Sequence, residues 1–200
     1  MSEIKKEEIE KIAQIKGNSR GVIIHSDAIF IQSKEGKKGI KVLEEKMAEL
    51  GHPINFDEIK PGEWYPEFLS VVYVSVAKDL FNWDEKDVFD MGNSSPKFSF
   101  IAKVTMKYFL SLKKFLGEVP SYWKQHFDFG ELEVSELNEE KKYLILCEKG
   151  YKFHPLMCIY HAGYYLRIAY SAIKGEKITI RETKCMFKGD PYHEYTIKWE

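Results

Sequence analysis

Apolar positions recur mostly at three- and four-residue spacing over the first half of the chain and switch to alternation towards its end. Glu3 to Lys16 places Ile4, Ile9, Ile12 and Ile15 on one stripe of an amphipathic helix, which Asn18-Ser19 breaks. Val22-Ile23-Ile24 and Ala28-Ile29-Phe30-Ile31 are β-rich runs around Ser26-Asp27 and read as a hairpin. Lys34 to Lys38 reads as a solvated, glycine-containing loop. Ile40, Val42, Leu43, Met47 and Leu50 predict a helix over Ile40 to Leu50, with Gly51 as its stop. A connector with Pro53 and Pro61 follows, from Ile54 to Trp64. Between Tyr65 and Phe81, Val71 to Val74 would suit a buried strand, but Phe68, Leu69, Val72, Tyr73, Val76 and Leu80 fit a helix, and the length favours it. Asp84 to Met91 predicts one short helix. Ser95-Pro96 then opens a long one, with Phe98, Ile101, Ala102, Met106, Phe109, Leu112 and Leu116 inside and Gly117 at its end. Val119 to Phe127 predicts another short helix.

Beyond it the period changes. Glu131 to Leu137 and Lys142 to Glu148 predict an antiparallel pair around Asn138-Glu139-Glu140. Pro155 suits a first helical turn and Gly175 the position just past a helix end. Between them Cys158, Ala162, Tyr165, Ala169 and Ile173 draw one helical stripe. Lys177 to Lys184 alternates, with Ile178, Ile180 and Glu182 on one side. Lys188-Gly189-Asp190-Pro191 is a turn signal, and Tyr195, Ile197 and Trp199 alternate on the returning strand. No repeat, low-complexity tract or Pro/Gly/Ser-rich linker divides residues 1–200, so the chain reads as a single α+β domain. Its plan is a helical half followed by β-β-α-β-β, an antiparallel sheet packed on helices.

Composition narrows the function classes. The chain carries 30 basic and 31 acidic residues, net −1, so no global field recruits nucleic acid or anionic membrane. The charged N-terminus lacks the apolar core of a signal peptide, and no run is long enough to span a bilayer. Three scattered cysteines make no disulfide framework, which points to a reducing cytoplasm. Twelve Tyr, 13 Phe and 4 Trp supply either a large aromatic core or an aromatic-lined cavity.

One segment carries a resemblance. Cys158, Gly163-Tyr164, Gly175, Arg181-Glu182-Thr183-Lys184-Cys185 and Gly189-Asp190 together resemble the 4-vinyl reductase-like, or hydrocarbon-binding, domain, which is related in fold to small TRAPP tethering subunits. The resemblance covers about the last fifty residues closely. It implies a homodimeric sensory domain for a small apolar or aromatic ligand, signalling through a separate protein. It also implies a zinc held by Cys158, Cys185 and His193, with His193 standing where the family has cysteine. An upstream carboxylate, Glu131 or Glu133, would complete the set, and His161 is an alternative one turn below Cys158. Strand parity objects: if Glu182 and His193 face the core, Cys185 points away unless a bulge near Met186 or Phe187 turns it back. Without a metal, the same residues read as a core cysteine, a half-buried strand residue and a surface histidine.

Phe98, Phe100, Tyr108 and Phe109 of the long helix, with Tyr164, Tyr165 and Tyr170, are the candidate lining of an apolar pocket. Glu182 is placed beside them as a buried carboxylate needing a partner, Arg167 or Lys184. The general plan also resembles haem nitric-oxide-binding domains, for which His161 or His126 would be the iron ligand. Their Tyr-x-Ser-x-Arg propionate motif is missing, since Tyr170-Ser171 lacks the arginine, and haem is disfavoured on that ground. No nucleophile elbow or phosphate loop is present, so an enzyme, a reductase or metal-assisted hydrolase, is disfavoured too. The remaining alternative is a TRAPP-like assembly subunit without a ligand, built on an exposed apolar patch.

Overall fold

The computed structural model describes residues 4–98, 112–173 and 175–200. Helix α1 (Lys6–Ala13) buries Ile9 and Ile12 and leads into a three-residue strand, β1 (Asn18–Arg20), paired with β2 (Trp64–Pro66). Between these strands lies α2 (Gly21–Glu49), which breaks its helical geometry only at Gly36, where φ is 73°. The expected hairpin over Val22 to Ile31 is therefore helical, and the expected loop over Lys34 to Lys38 is reduced to the break at Gly36. Ile24, Asp27 and Ile31 lie at three- and four-residue spacing and all are buried. An aspartate in the middle of that stripe hid the helical period, and the surrounding isoleucines supplied a strand-like composition instead.

Helix α3 (Glu67–Leu80) follows at once, and α4 (Glu85–Phe98) runs straight through Pro96. The expected break before Ser95 is absent. The expected long helix is described only at its two ends, the second being α5 (Leu112–Gly117). Phe100, Tyr108 and Phe109 lie outside the described residues, as does the side chain of Phe98. Helix α6 (Val119–His126) completes the helical half.

The last third follows its sequence pattern closely. Strands β3 (Glu131–Asn138), β4 (Tyr143–Lys149), β5 (Ile178–Lys184) and β6 (His193–Trp199) form one antiparallel sheet in the order β3-β4-β6-β5. Helix α7 (Leu156–Ala172), starting just after Pro155, crosses from β4 to β5. Leu132, Leu144, Leu146, Tyr195 and Ile197 are buried in the core shared with it. Two glycines set how closely α7 meets α4. A Cβ on Gly92 would stand 1.9 Å from the Tyr160 carbonyl oxygen, and one on Gly163 2.0 Å from that of Phe89. The two backbones touch where neither can carry a side chain.

Candidate metal centre and ligand pocket

The first turn of α7 and the β5–β6 corner bring four donor groups together. Cys158 Sγ lies 3.9 Å from Cys185 Sγ and 3.6 Å from His193 Nδ1, and His193 Nδ1 lies 3.1 Å from Glu182 Oε1. One ligand atom from each residue falls within 4.8 Å of the others. The corner is bent by a register shift between Glu182 and Lys184 and by a 3-10 turn over Met186–Lys188. The irregularity that strand parity demanded is thus present, and it turns Cys185 inward to full burial. Asp190 Oδ2 accepts the Cys185 N–H at 2.8 Å and fixes the loop.

The fourth member is Glu182, not the residues expected in that place. Glu133 pairs with Lys149 at 2.6 Å, Glu131 is exposed on the edge strand, and His161 Nδ1 contacts the Glu148 carboxylate at 2.9 Å. The expected partners of Glu182 are occupied elsewhere: Arg167 binds Asn93 and Lys184 binds Glu194. His193 Nε2 lies 2.9 Å from the Tyr151 carbonyl and donates to it. That fixes Nδ1 as the atom facing the two sulfurs and the carboxylate. A neutral ring would then set a lone pair against Glu182, so the position calls for a proton or a metal ion. Burial works to lower the His193 pKa, but Glu182, Glu148 and the Tyr151 carbonyl together outweigh it and raise the value. Burial, with Glu182 and Cys185 beside it, pushes the Cys158 thiol well up. Two thiols, an imidazole and a carboxylate match a tetrahedral site for a borderline-to-soft divalent ion.

Next to this cluster, the inner face of α7 walls a pocket closed by the sheet, α5, α6 and the buried faces of α2 and α3. Tyr164 and Tyr165 line it, with Leu116, Val119, Leu146 and Ile168, whereas Glu182 belongs to the metal cluster instead. The cavity measures about 70 Å³. Around it stand three buried acids that the sequence did not single out, Asp27 and Glu67 in the lining and Glu148 behind His161 and Tyr165. Asp27 accepts from Tyr73 at 2.6 Å and from Tyr160 at 2.7 Å. Glu148 meets His161 and accepts from Tyr165 at 3.0 Å. Glu67 accepts from Tyr151 at 2.6 Å. Glu148 was legible, since it continues the Leu144–Leu146 alternation; Glu67 looks like any first-turn acid. His126, at the end of α6, also lines the pocket. Its Nδ1 lies 2.9 Å from the Tyr122 carbonyl, while its buried Nε2 has no partner among the described residues. Burial holds its pKa below the ordinary histidine value.

No family model and no curated protein sequence matches the chain. Solved structures do match its fold. An H-NOX protein from S. oneidensis in the Fe(II)NO state is 13% identical with a TM-score of 0.68, covering 90% of this chain and 99% of that one. An oxygen-binding H-NOX domain related to soluble guanylate cyclases is 13% identical with a TM-score of 0.62, covering 90% and 95%. A structure from work on haem redox potential and porphyrin distortion is 12% identical with a TM-score of 0.63, covering 90% and 99%. The chain therefore has the H-NOX fold. This overturns the 4-vinyl reductase and TRAPP assignment: a short motif of Cys, Gly-Tyr and Gly-Asp positions describes one helix and one hairpin, and these occur within the H-NOX architecture as well. It also overturns the preference for zinc over haem: the missing Tyr-x-Ser-x-Arg motif argues against haem on one short stretch, whereas the whole fold is that of structures whose descriptions name iron or haem.

Proposed function

We propose that the chain is a small-molecule sensory domain whose receiving site is the α7-walled pocket, with haem as its cofactor. The observation that carries the reading is His126. Its Nδ1 is held by a backbone carbonyl, its buried Nε2 meets no partner among the described residues, and burial favours the neutral ring, which is the state an axial iron ligand needs. The pocket walls are apolar, as a porphyrin face requires. The match lies at the iron. Among the described residues the lining offers no Lys or Arg to a carboxylate edge, and pockets for ligands of this size are usually 300 Å³ or more, roughly, so loading would widen the cavity. Haem supplies an iron centre for a diatomic gas, such as the nitric oxide and oxygen of the two H-NOX structures. The chain's own part is to present His126, exclude water with Leu116, Val119 and Leu146, and carry a change in the pocket along α7.

Reconstitution with hemin under reducing conditions tests this. A Soret band typical of histidine-ligated haem is expected, lost or shifted in His126→Ala and kept in His161→Ala. Hemin that leaves the protein's spectrum and its own unchanged would defeat the reading. The Cys158–Glu182–Cys185–His193 cluster forms a second part of the proposal, a metal ion that locks the α7 start to the β5–β6 corner. A homodimer and a separate protein partner also belong to it, and light-scattering mass measurement in solution tests the first of these.

A further inference from the structure

His154 stands between two helices and turns a different ring atom to each. It lies two residues before α7, and its Nδ1 accepts the N–H of Leu156, the first residue of that helix, at 3.2 Å. Nδ1 therefore holds a lone pair, and the single proton of the neutral ring sits on Nε2. Nε2 lies 3.3 Å from Glu8 Oε1 on α1. Among the described residues two acids act on the ring, Glu8 on α1 and Asp79 near the end of α3. Asp79 Oδ2 in turn accepts the Ile4 N–H at 2.7 Å. Helix α1 is thus tied at Asp79 and at His154, while its buried Ile9 and Ile12 seat it on the core. The His154 side chain is 19% exposed, so protons reach it without unfolding.

A second proton can enter the ring only at Nδ1, the atom that the Leu156 N–H occupies. The cation then has a donor where it had an acceptor, and the Leu156 contact is lost. A positive ring beside the α7 N-terminus also opposes the helix dipole. Towards α1 the same proton strengthens the pairing with Glu8. We propose that His154 is a proton-driven latch, which ties α1 to the first turn of α7 when neutral and releases that turn when charged. Burial lowers the His154 pKa against the pull of Glu8 and Asp79, so release belongs below about pH 6.5, the ordinary histidine value. The release is local, because α1 keeps Asp79 and its apolar seat. The freed turn contains Cys158 and leads into the helix that walls the pocket. The inference goes beyond the cofactor reading and uses no group that lines the pocket.

Amide hydrogen exchange of the purified full chain tests it, read by mass spectrometry over residues 153–160 and corrected for the intrinsic pH dependence of exchange. Protection there is expected to fall at least tenfold between pH 7.5 and pH 5.0. His154→Asn keeps a side-chain acceptor for the Leu156 N–H and cannot take the proton, so its protection should hold at both values. His154→Ala should be as weakly protected at pH 7.5 as the unaltered chain is at pH 5.0. Glu8→Gln lies on α1, half-exposed, and serves if the His154 variants do not fold, as judged by circular dichroism. It removes an acid that favours the cation, so the His154 ring, followed by NMR, should titrate at lower pH than in the unaltered chain. Equal protection at the two pH values, a fall that survives in His154→Asn, or a ring titration unmoved by Glu8→Gln overturns the proposal.

Discussion

Asp27 joins three helices through one carboxylate, on α2, bonded to Tyr73 of α3 and Tyr160 of α7. Burial raises its pKa from 3.8 to about 7, against the pull of the two tyrosines and with some help from Glu67. A folded pKa above the unfolded one means that the folded state holds the proton more tightly. The stabilisation is then complete below about pH 4 and is lost as pH rises towards 7, with a ceiling of roughly 4 kcal/mol. Thermal melts at pH 4.5 and 7.5 should show stability falling with pH, and Asp27→Asn should flatten that slope. An unchanged slope in the variant would mean that Asp27 titrates normally. Residues at this scale were unevenly legible. Cys158, Cys185 and His193 could be named because thiols and imidazoles in a short segment stand out chemically. Glu182 was seen but assigned to the pocket, since its meeting with Cys185 depends on a one-residue bulge that no alternation reveals. Asp27 and Glu67 were invisible, because their meaning comes from tyrosines 46 and 84 residues away.

At the level of elements, the α4–α7 crossing is set by Gly92 and Gly163. Their absent Cβ atoms would fall about 2 Å from opposing carbonyl oxygens, and backbone cannot move aside as a flexible side chain can. Gly163→Ala is expected to destabilise the fold by about 3 kcal/mol or more by forcing the helices apart. Because α7 walls the pocket, the same variant should also weaken hemin uptake. Chemical denaturation and hemin titration check the two effects, and a loss below 1 kcal/mol would show that the helices separate easily. The same crossing explains an element that sequence reasoning divided wrongly. Pro96 and the Ser94-Ser95 pair before it read as a helix start, yet α4 passes through them while its middle is held against α7. In α2, β-branched residues outweighed a helical period that contained a buried acid. The C-terminal β-β-α-β-β was legible because β5 and β6 have one face in the core and one outside, so their alternation survives over most of their length.

Across the whole molecule, the four-donor cluster and the pocket are joined by a chain of hydrogen bonds. Cys158 begins α7 and its carbonyl receives Tyr195 Oη, 3.4 Å away. His193 holds the Tyr151 carbonyl, and the Tyr151 hydroxyl holds Glu67 inside the pocket. An ion on the four donors would therefore tie α7, the β5–β6 corner and the segment after β4 to α3. Since the unfolded chain does not assemble these donors, binding adds to folding stability by mass action, about 2.7 kcal/mol at a hundredfold excess over Kd. For a chain of this length that corresponds to a Tm rise of about 5–10 °C. Cobalt(II) is expected to give this rise together with thiolate charge-transfer absorption in the near ultraviolet, and a chelator should reverse both. Cys185→Ser should lose the absorption and most of the rise, while Cys147→Ser, on a buried β4 position outside the cluster, should keep them. A cobalt spectrum without sulfur bands, or a rise that persists in Cys185→Ser, would place the ion elsewhere and leave the four side chains as core packing.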